Sequence, residues 1–204
     1  TKEAPKSATF LLPGANFNRN DSRNNAWNGG PAVGGDEYTN YCGEKWNTAF
    51  DVNQELNGLP NGYYQICMQG YYRMGGGENN ADLAATHHAN GTEELNAVFY
   101  ANDEQLTVMS IMEGVQEEAF VYGQSYETPS GFVPQNMASA AYAFTDGKYE
   151  HELWVKVTDG ILRVGVKKEE LSLYDWTIFD NIRLMYYGTE QPDAIEDVTS
   201  VRDR

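Results

Sequence analysis

The chain predicts an all-β fold, two antiparallel sheets stacked as a sandwich with long loops and at most short helices, and three observations carry this. In residues 153–157 and 162–166, Leu153, Val155, Val157, Leu162, Val164 and Val166 are apolar at every second position, with Trp154, Lys156, Arg163 and Lys167 between and beside them. Period-two alternation gives a strand one apolar and one wet face. Asp159-Gly160 between the two arms is the dipeptide of a tight two-residue turn, so the arms are expected to pair as a hairpin. Third, 14 Tyr, 4 Trp, 8 Phe and 20 Gly among 204 residues suit strands joined by many turns.

The elements follow in order. Residues 1–7 read as a flexible leader, and residues 8–12 as a short apolar strand before the Pro13-Gly14 break. Residues 16–43 are rich in Asn, Gly and Asp and read as loop. Phe50, Val52 and Leu56 alternate with Asp51, Asn53 and Glu55, and the turn at residues 58–62 starts a second strand at Tyr63, so this pair too is expected to be a hairpin. In that second strand Tyr64, Ile66, Met68 and Tyr72 share one side, with Gln65, Cys67, Gln69, Tyr71 and Arg73 on the other. Residues 81–90 hold a helical turn. Residues 95–101 and 106–112 flank a polar bend and form a hairpin, residues 115–129 are a long connection, and a short helix follows Pro134. Trp176 opens a closing strand that runs to Tyr187. Eight or so short strands with few helices point to a jelly roll.

Length and composition bound the organisation and the partners. The chain suits one β domain, residues 8–187, followed by a polar, acidic linker or tail at residues 188–204. The net charge of −16, from 14 Lys and Arg against 30 Asp and Glu, argues against nucleic acid and against an anionic membrane surface. No apolar run reaches the roughly 20 residues of a membrane span. The two cysteines, Cys42 and Cys67, leave both a disulfide and two free thiols open, and Cys67 in mid-strand favours free thiols.

Several segments together resemble a known family: residues 50–64, 69–73, 132–139, 157–160 with 164–168, and 175–184. The set is similar to the galactose-binding-like jelly-roll domains of carbohydrate-binding-module type, found in large secreted or surface proteins of polysaccharide-degrading gut bacteria, and it spans most of residues 8–187. The resemblance implies a noncatalytic module, a polysaccharide or glycan partner, neighbouring domains in the same chain, and a secreted or cell-surface bacterial location. It also implies a structural calcium ion near the start and end of the domain, with Asp180 as the ligand from the last strand. Asn16, Phe17 and Asn18 depart from that pattern, since an acidic residue is expected at the other end.

Catalytic machinery is poorly represented. The one near match to a nucleophile elbow, residues 123–127 around Ser125, lacks its second glycine. His87 and His88 are adjacent, His151 stands alone, and all three read as surface histidines. Carboxylate pairs such as Glu117-Glu118 and Glu169-Glu170 read as solvated surface, which ranks a glycosidase or esterase last. Sugar binding needs aromatic faces for the C–H side of a pyranose and amide or charged rims for its hydroxyls. The candidates are Trp27, Tyr38, Tyr41 and Trp46 among the amide-rich loops, Tyr71 with Arg73, and Trp154 on the wet face of its strand. The alternative is a spacer or protein-interaction domain that keeps the fold without a sugar site.

Overall fold

The computed structural model describes residues 1–35, 40–76 and 81–195. Among them are twelve strands, β1 (Lys6–Ser7), β2 (Ala32–Gly35), β3 (Tyr41–Trp46), β4 (Phe50–Leu56), β5 (Gly62–Arg73), β6 (Val98–Ala101), β7 (Glu104–Thr107), β8 (Ser125–Thr128), β9 (Gly131–Pro134), β10 (Glu150–Val157), β11 (Leu162–Lys168) and β12 (Trp176–Gly188). Two short α-helices, α1 (Asp82–Ala89) and α2 (Met137–Thr145), and three 3-10 turns complete the set. The first sheet runs β10-β5-β12-β3-β2, with β1 also on β12, and the second runs β4-β11-β6-β7. All strand pairs are antiparallel, and β8 and β9 form a separate hairpin. The fold class is the one the alternation predicts.

The strand partners correct two expectations. Residues 153–166 are not a hairpin: β10 pairs with β5 (Leu153 opposite Ile66), whereas β11 pairs with β4 and β6 (Val166 opposite Val52 and Phe99). Strands β4 and β5 likewise part into different sheets. Both connections are arches over the end of the core. The turn is not the type I′ one that Asp-Gly suggests, which needs positive φ at both central residues: only Gly160 has it, at 75°, while Asp159 accepts a hydrogen bond from Ile161 N. The arches brace each other, with Leu59 N donating to Gly160 O and Asn61 Nδ2 to Thr158 O. Alternation survives this change intact, because Leu153, Val155, Val157, Leu162, Val164 and Val166 are all buried, facing each other across the sandwich.

Other elements follow the sequence more closely. The hairpin after residue 95 is β6-β7, turning at Asn102 with φ 50°. Helix α2 begins where the Pro134 break allows, and Asn136 caps it: Ser139 N donates to Asn136 Oδ1, while Asn136 N donates to Ser139 Oγ. The expected strand at residues 8–12 is a 3-10 turn, Thr9–Leu11, because the Thr9 hydroxyl takes the place of a ladder partner for Leu184, accepting from its N–H and donating to its carbonyl. The leader is tied down, with Lys6 and Ser7 paired to Tyr186 and Met185. The regions expected as loop or connection contain β2, β3 and β8.

A second core explains how the first sheet differs from a simple two-faced one. On its inner side Ile66, Met68, Tyr72, Phe179 and Leu184 meet Val52, Phe99 and Val164 of the other sheet. On its outer side Cys42, Tyr71, Trp176 and Ile178 meet Ala140, Ala141 and Phe144 of α2, together with Ile111 and Val133. Strands β5 and β12 are therefore covered on both faces, each fully buried Ile or Tyr contributing roughly 1.5–3 kcal/mol of apolar transfer. Helix α2 leaves the two ends of that outer face open. No helix among the described residues is long and apolar enough to cross a membrane.

Candidate functional site

One open end carries a row of three cross-strand neighbours on the outer face: Trp46 of β3 opposite Trp176 of β12, and Trp176 opposite Arg73 of β5. Trp176 is buried, its Nε1 donating to Glu44 Oε2 at 2.6 Å, and the Arg73 guanidinium lies 5.2 Å from its ring centroid. Such stacking favours the cation over the indole face, while burial lowers the pKa of Arg73 from its ordinary value. Trp46, at the strand end beyond the cover of α2, is 44% exposed. Tyr174, 38% exposed, stands beside it with ring centroids 6.5 Å apart and planes at 50°.

Tyr174 is held in place by its backbone. Its φ is 64°, a left-handed conformation that a bulky residue adopts only when its surroundings hold it. Its N–H donates to Asn47 Oδ1, and its carbonyl accepts from Arg73 Nη2. Asn47 N in turn donates to Asp175 O, and Asn47 is itself left-handed at φ 53°. Beside Trp46 opens a cavity of about 350 Å3, lined with it by Glu44, Arg73, Gln135, Asn136, Met137 and Trp176. Gln135 Oε1 is buried with no hydrogen-bond partner among the described residues. A buried acceptor in that state favours an O–H or N–H donor brought by a ligand or solvent.

The sequence candidates divide sharply. Trp46 and Arg73 come together here. Trp27 does not: it is a core residue, its Nε1 donating to Gly14 O and its ring 5.2 Å from Phe17. Tyr71 is fully buried in the second core against Tyr149, Phe144 and Trp176. Tyr41 is half-buried at the opposite end of β3 from Trp46, and Tyr38 lies outside the described residues. Trp154 is half-buried on the outer face of β10, edge-on to Tyr187 at 4.6 Å, with its Nε1 on Glu152. It borders a separate cavity of about 450 Å3 with Gln65, Tyr187 and Asp193. The Trp46 and Trp154 sites lie at opposite ends of β12.

Asp180 faces the second core, 1% exposed, and neither carboxylate oxygen has a hydrogen-bond partner among the described residues. Burial raises its pKa well above the ordinary carboxylate range, against opposing pulls from the Asn181 backbone and Arg183. Among the described residues no set of three His, Cys, Asp or Glu groups could hold a metal ion. The chain's start does run beside the last strand, as Ile182 N donates to Ala15 O, but Phe17 there is a core ring. Both cysteines are free, and burial pushes the Cys42 thiol up.

Residues considered for chemistry have structural employment. Ser125 Oγ accepts from Phe120 N. His151 is buried, not a surface histidine: its Nε2 accepts from Met109 N, its Nδ1 meets Tyr149 O, and burial lowers its pKa. His88 pairs with Glu93, which also accepts from Ser110 Oγ. A larger cavity of about 640 Å3 lies beside Asp51, Tyr100 and Arg163, but these three satisfy one another, with the Tyr100 hydroxyl and Arg163 Nη2 both on the Asp51 carboxylate. Tyr100 is buried and offers no face to stack on.

Sequence reasoning missed Glu44, Gln135, Asn136 and Tyr174. Only Tyr174 carried a signal: Leu171, Leu173 and Tyr174 are apolar residues in an otherwise polar connection, and all three are exposed. The others are ordinary polar residues that become a rim only when β3 and the approach to α2 meet.

No protein-family model matches this chain, and no curated protein matches it. Among solved structures it is similar to one described as TmCBM61 in complex with β-1,4-galactotriose, at 13% identity over 84% of this chain and 98% of that chain, with a TM-score of 0.37. The two-sheet antiparallel sandwich described above rests on the strand pairing itself.

Proposed function

We propose that this domain is a noncatalytic carbohydrate-binding module that holds a glycan at the Trp46 end of its first sheet. One observation carries the reading: the exposed ring of Trp46, with exposed Tyr174 beside it, borders a cavity lined otherwise by Glu44, Arg73, Gln135, Asn136, Met137 and Trp176, most of them hydrogen-bonding side chains. Exposed rings are costly on a soluble surface unless something covers them, and a pyranose covers a ring with its C–H face while presenting hydroxyls to Glu44, Arg73, Gln135 and Asn136. The rigid backbone around Tyr174 supports this, because a site already ordered loses little entropy on binding. In the same reading the module spans residues 8–187 of a secreted or cell-surface bacterial protein, and residues 188–204 link it to neighbouring domains. A calcium ion at Asp180 belongs to this proposal as well; it would relieve the bare carboxylate.

The test is affinity electrophoresis and a glycan array with the wild-type domain, Trp46→Ala and Trp154→Ala. Retardation by at least one glycan that weakens tenfold or more in Trp46→Ala supports the site. Retardation lost only in Trp154→Ala moves it to the other end of β12, and no retardation by any glycan favours the spacer reading.

A further inference from the structure

We infer that the Trp46 cavity takes the uncharged end of a glycan, one or a few sugar units, rather than an acidic polysaccharide or a flat crystalline surface; this rests on reading the cavity as a saccharide site. Three features point to it. The first is the shape of the aromatic pair. A planar polysaccharide surface needs rings lying in one plane, whereas Trp46 and Tyr174 are inclined by 50°, with exposed Leu171 and Leu173 in the same connection as Tyr174. Rings so inclined present two faces that no flat sheet of chains can cover together.

The second is volume. About 350 Å3 lies at the low end of the roughly 300–1,000 Å3 typical of small-molecule sites, which limits the enclosed part of the ligand to a short segment. The third is charge. Among the described lining residues the cavity has one carboxylate and one guanidinium, Glu44 and Arg73, and both lean on the same indole, Glu44 through Trp176 Nε1 and Arg73 across the ring. The formal charges of the two lining groups sum to zero, and the buried Asp175 carboxylate also acts on Arg73. A polyuronate approaching a chain of net charge −16 meets repulsion at long range and no uncompensated cation on arrival. A neutral sugar loses nothing to either effect and finds both an acceptor and a donor.

Isothermal titration with neutral gluco-, galacto- and manno-oligosaccharides from one to six units, with glucuronate and polygalacturonate, and pull-down on crystalline cellulose and chitin test this. The expected result is a gain of about tenfold or more from one unit to three in at least one neutral series, then a change under about twofold from three to six. Glucuronate, polygalacturonate and the crystalline polymers are expected not to bind. Glu44→Gln keeps an acceptor for Trp176 Nε1 and removes the one carboxylate among the described residues lining the cavity, so it is expected to raise glucuronate affinity at least fivefold at low salt. Affinity still climbing tenfold between three and six units overturns the chain-end inference and leaves the saccharide site standing. Wild-type binding of polygalacturonate or a crystalline polymer does the same. No binding of any saccharide overturns the parent reading as well.

Discussion

Lys168 and Asp175, each 1% exposed, close the base of the connection that carries Tyr174 with a buried ion pair between Lys168 Nζ and Asp175 Oδ2. The Tyr72 hydroxyl donates to the same oxygen at 3.0 Å, so the pair is anchored on β5 as well as at the ends of β11 and β12. Residues 169–174 thus project from a fixed base, and the proposed sugar site depends on a contact buried beneath it.

Breaking that pair from one side is expected to be costly, because the surviving charge stays buried without its partner. Lys168→Met should lose about 3–5 kcal/mol in denaturant unfolding. Adding Asp175→Leu to it should recover a large part of that loss, since two apolar residues leave no bare charge. A single variant as stable as wild type would show that the pair is not sealed from water.

Asp180 gives a pH test. Its folded-state pKa is raised by burial, so the folded chain holds the proton more tightly than the unfolded chain, whose carboxyl titrates near about 3.9. Its contribution to stability is therefore full below that pH and is lost as pH rises through the raised folded value. Asp180→Asn should raise the neutral-pH melting temperature, by roughly 2–4 °C for each kcal/mol recovered, and the gap should vanish in acid. Calcium at this site predicts the reverse: Asp180→Asn would lower the neutral-pH melting temperature, and a chelator would lower that of the wild type.

Trp27 and Trp46 should behave oppositely. Trp27→Ala removes a core ring and should cost about 3–5 kcal/mol. Trp46→Ala removes a 44% exposed ring and should change stability by under about 1 kcal/mol while weakening glycan retardation. Equal stability losses in both would place Trp46 in the core.

Gly62 tests the arch between the sheets. Its φ is 144°, and a Cβ there would lie 2.3 Å from Gly188 O, so Gly62→Ala forces backbone apart and should cost about 1–3 kcal/mol or more. Gly58→Ala has open space around its Cβ and meets only the conformational penalty of φ 74°, so it should cost less. The reverse order would mean that β5 enters the sheet differently.

The amino-acid order determined which side of each strand turns inward, because period-two burial is a property of the strand alone: Leu153, Val155, Leu162 and Val164 sit where alternation puts them. It also showed where α2 starts, after Pro134. Which strands pair was decided only by the tertiary structure, since an arch and a hairpin leave the same apolar pattern and differ in the sheet to which each strand goes. The site was divided in the same way. Trp46 and Arg73 are legible as aromatic and polar site residues, but whether a ring is core or platform depends on what packs above it, and the cover that buries Tyr71 and leaves Trp46 44% exposed comes from α2, some seventy residues beyond Tyr71 along the chain.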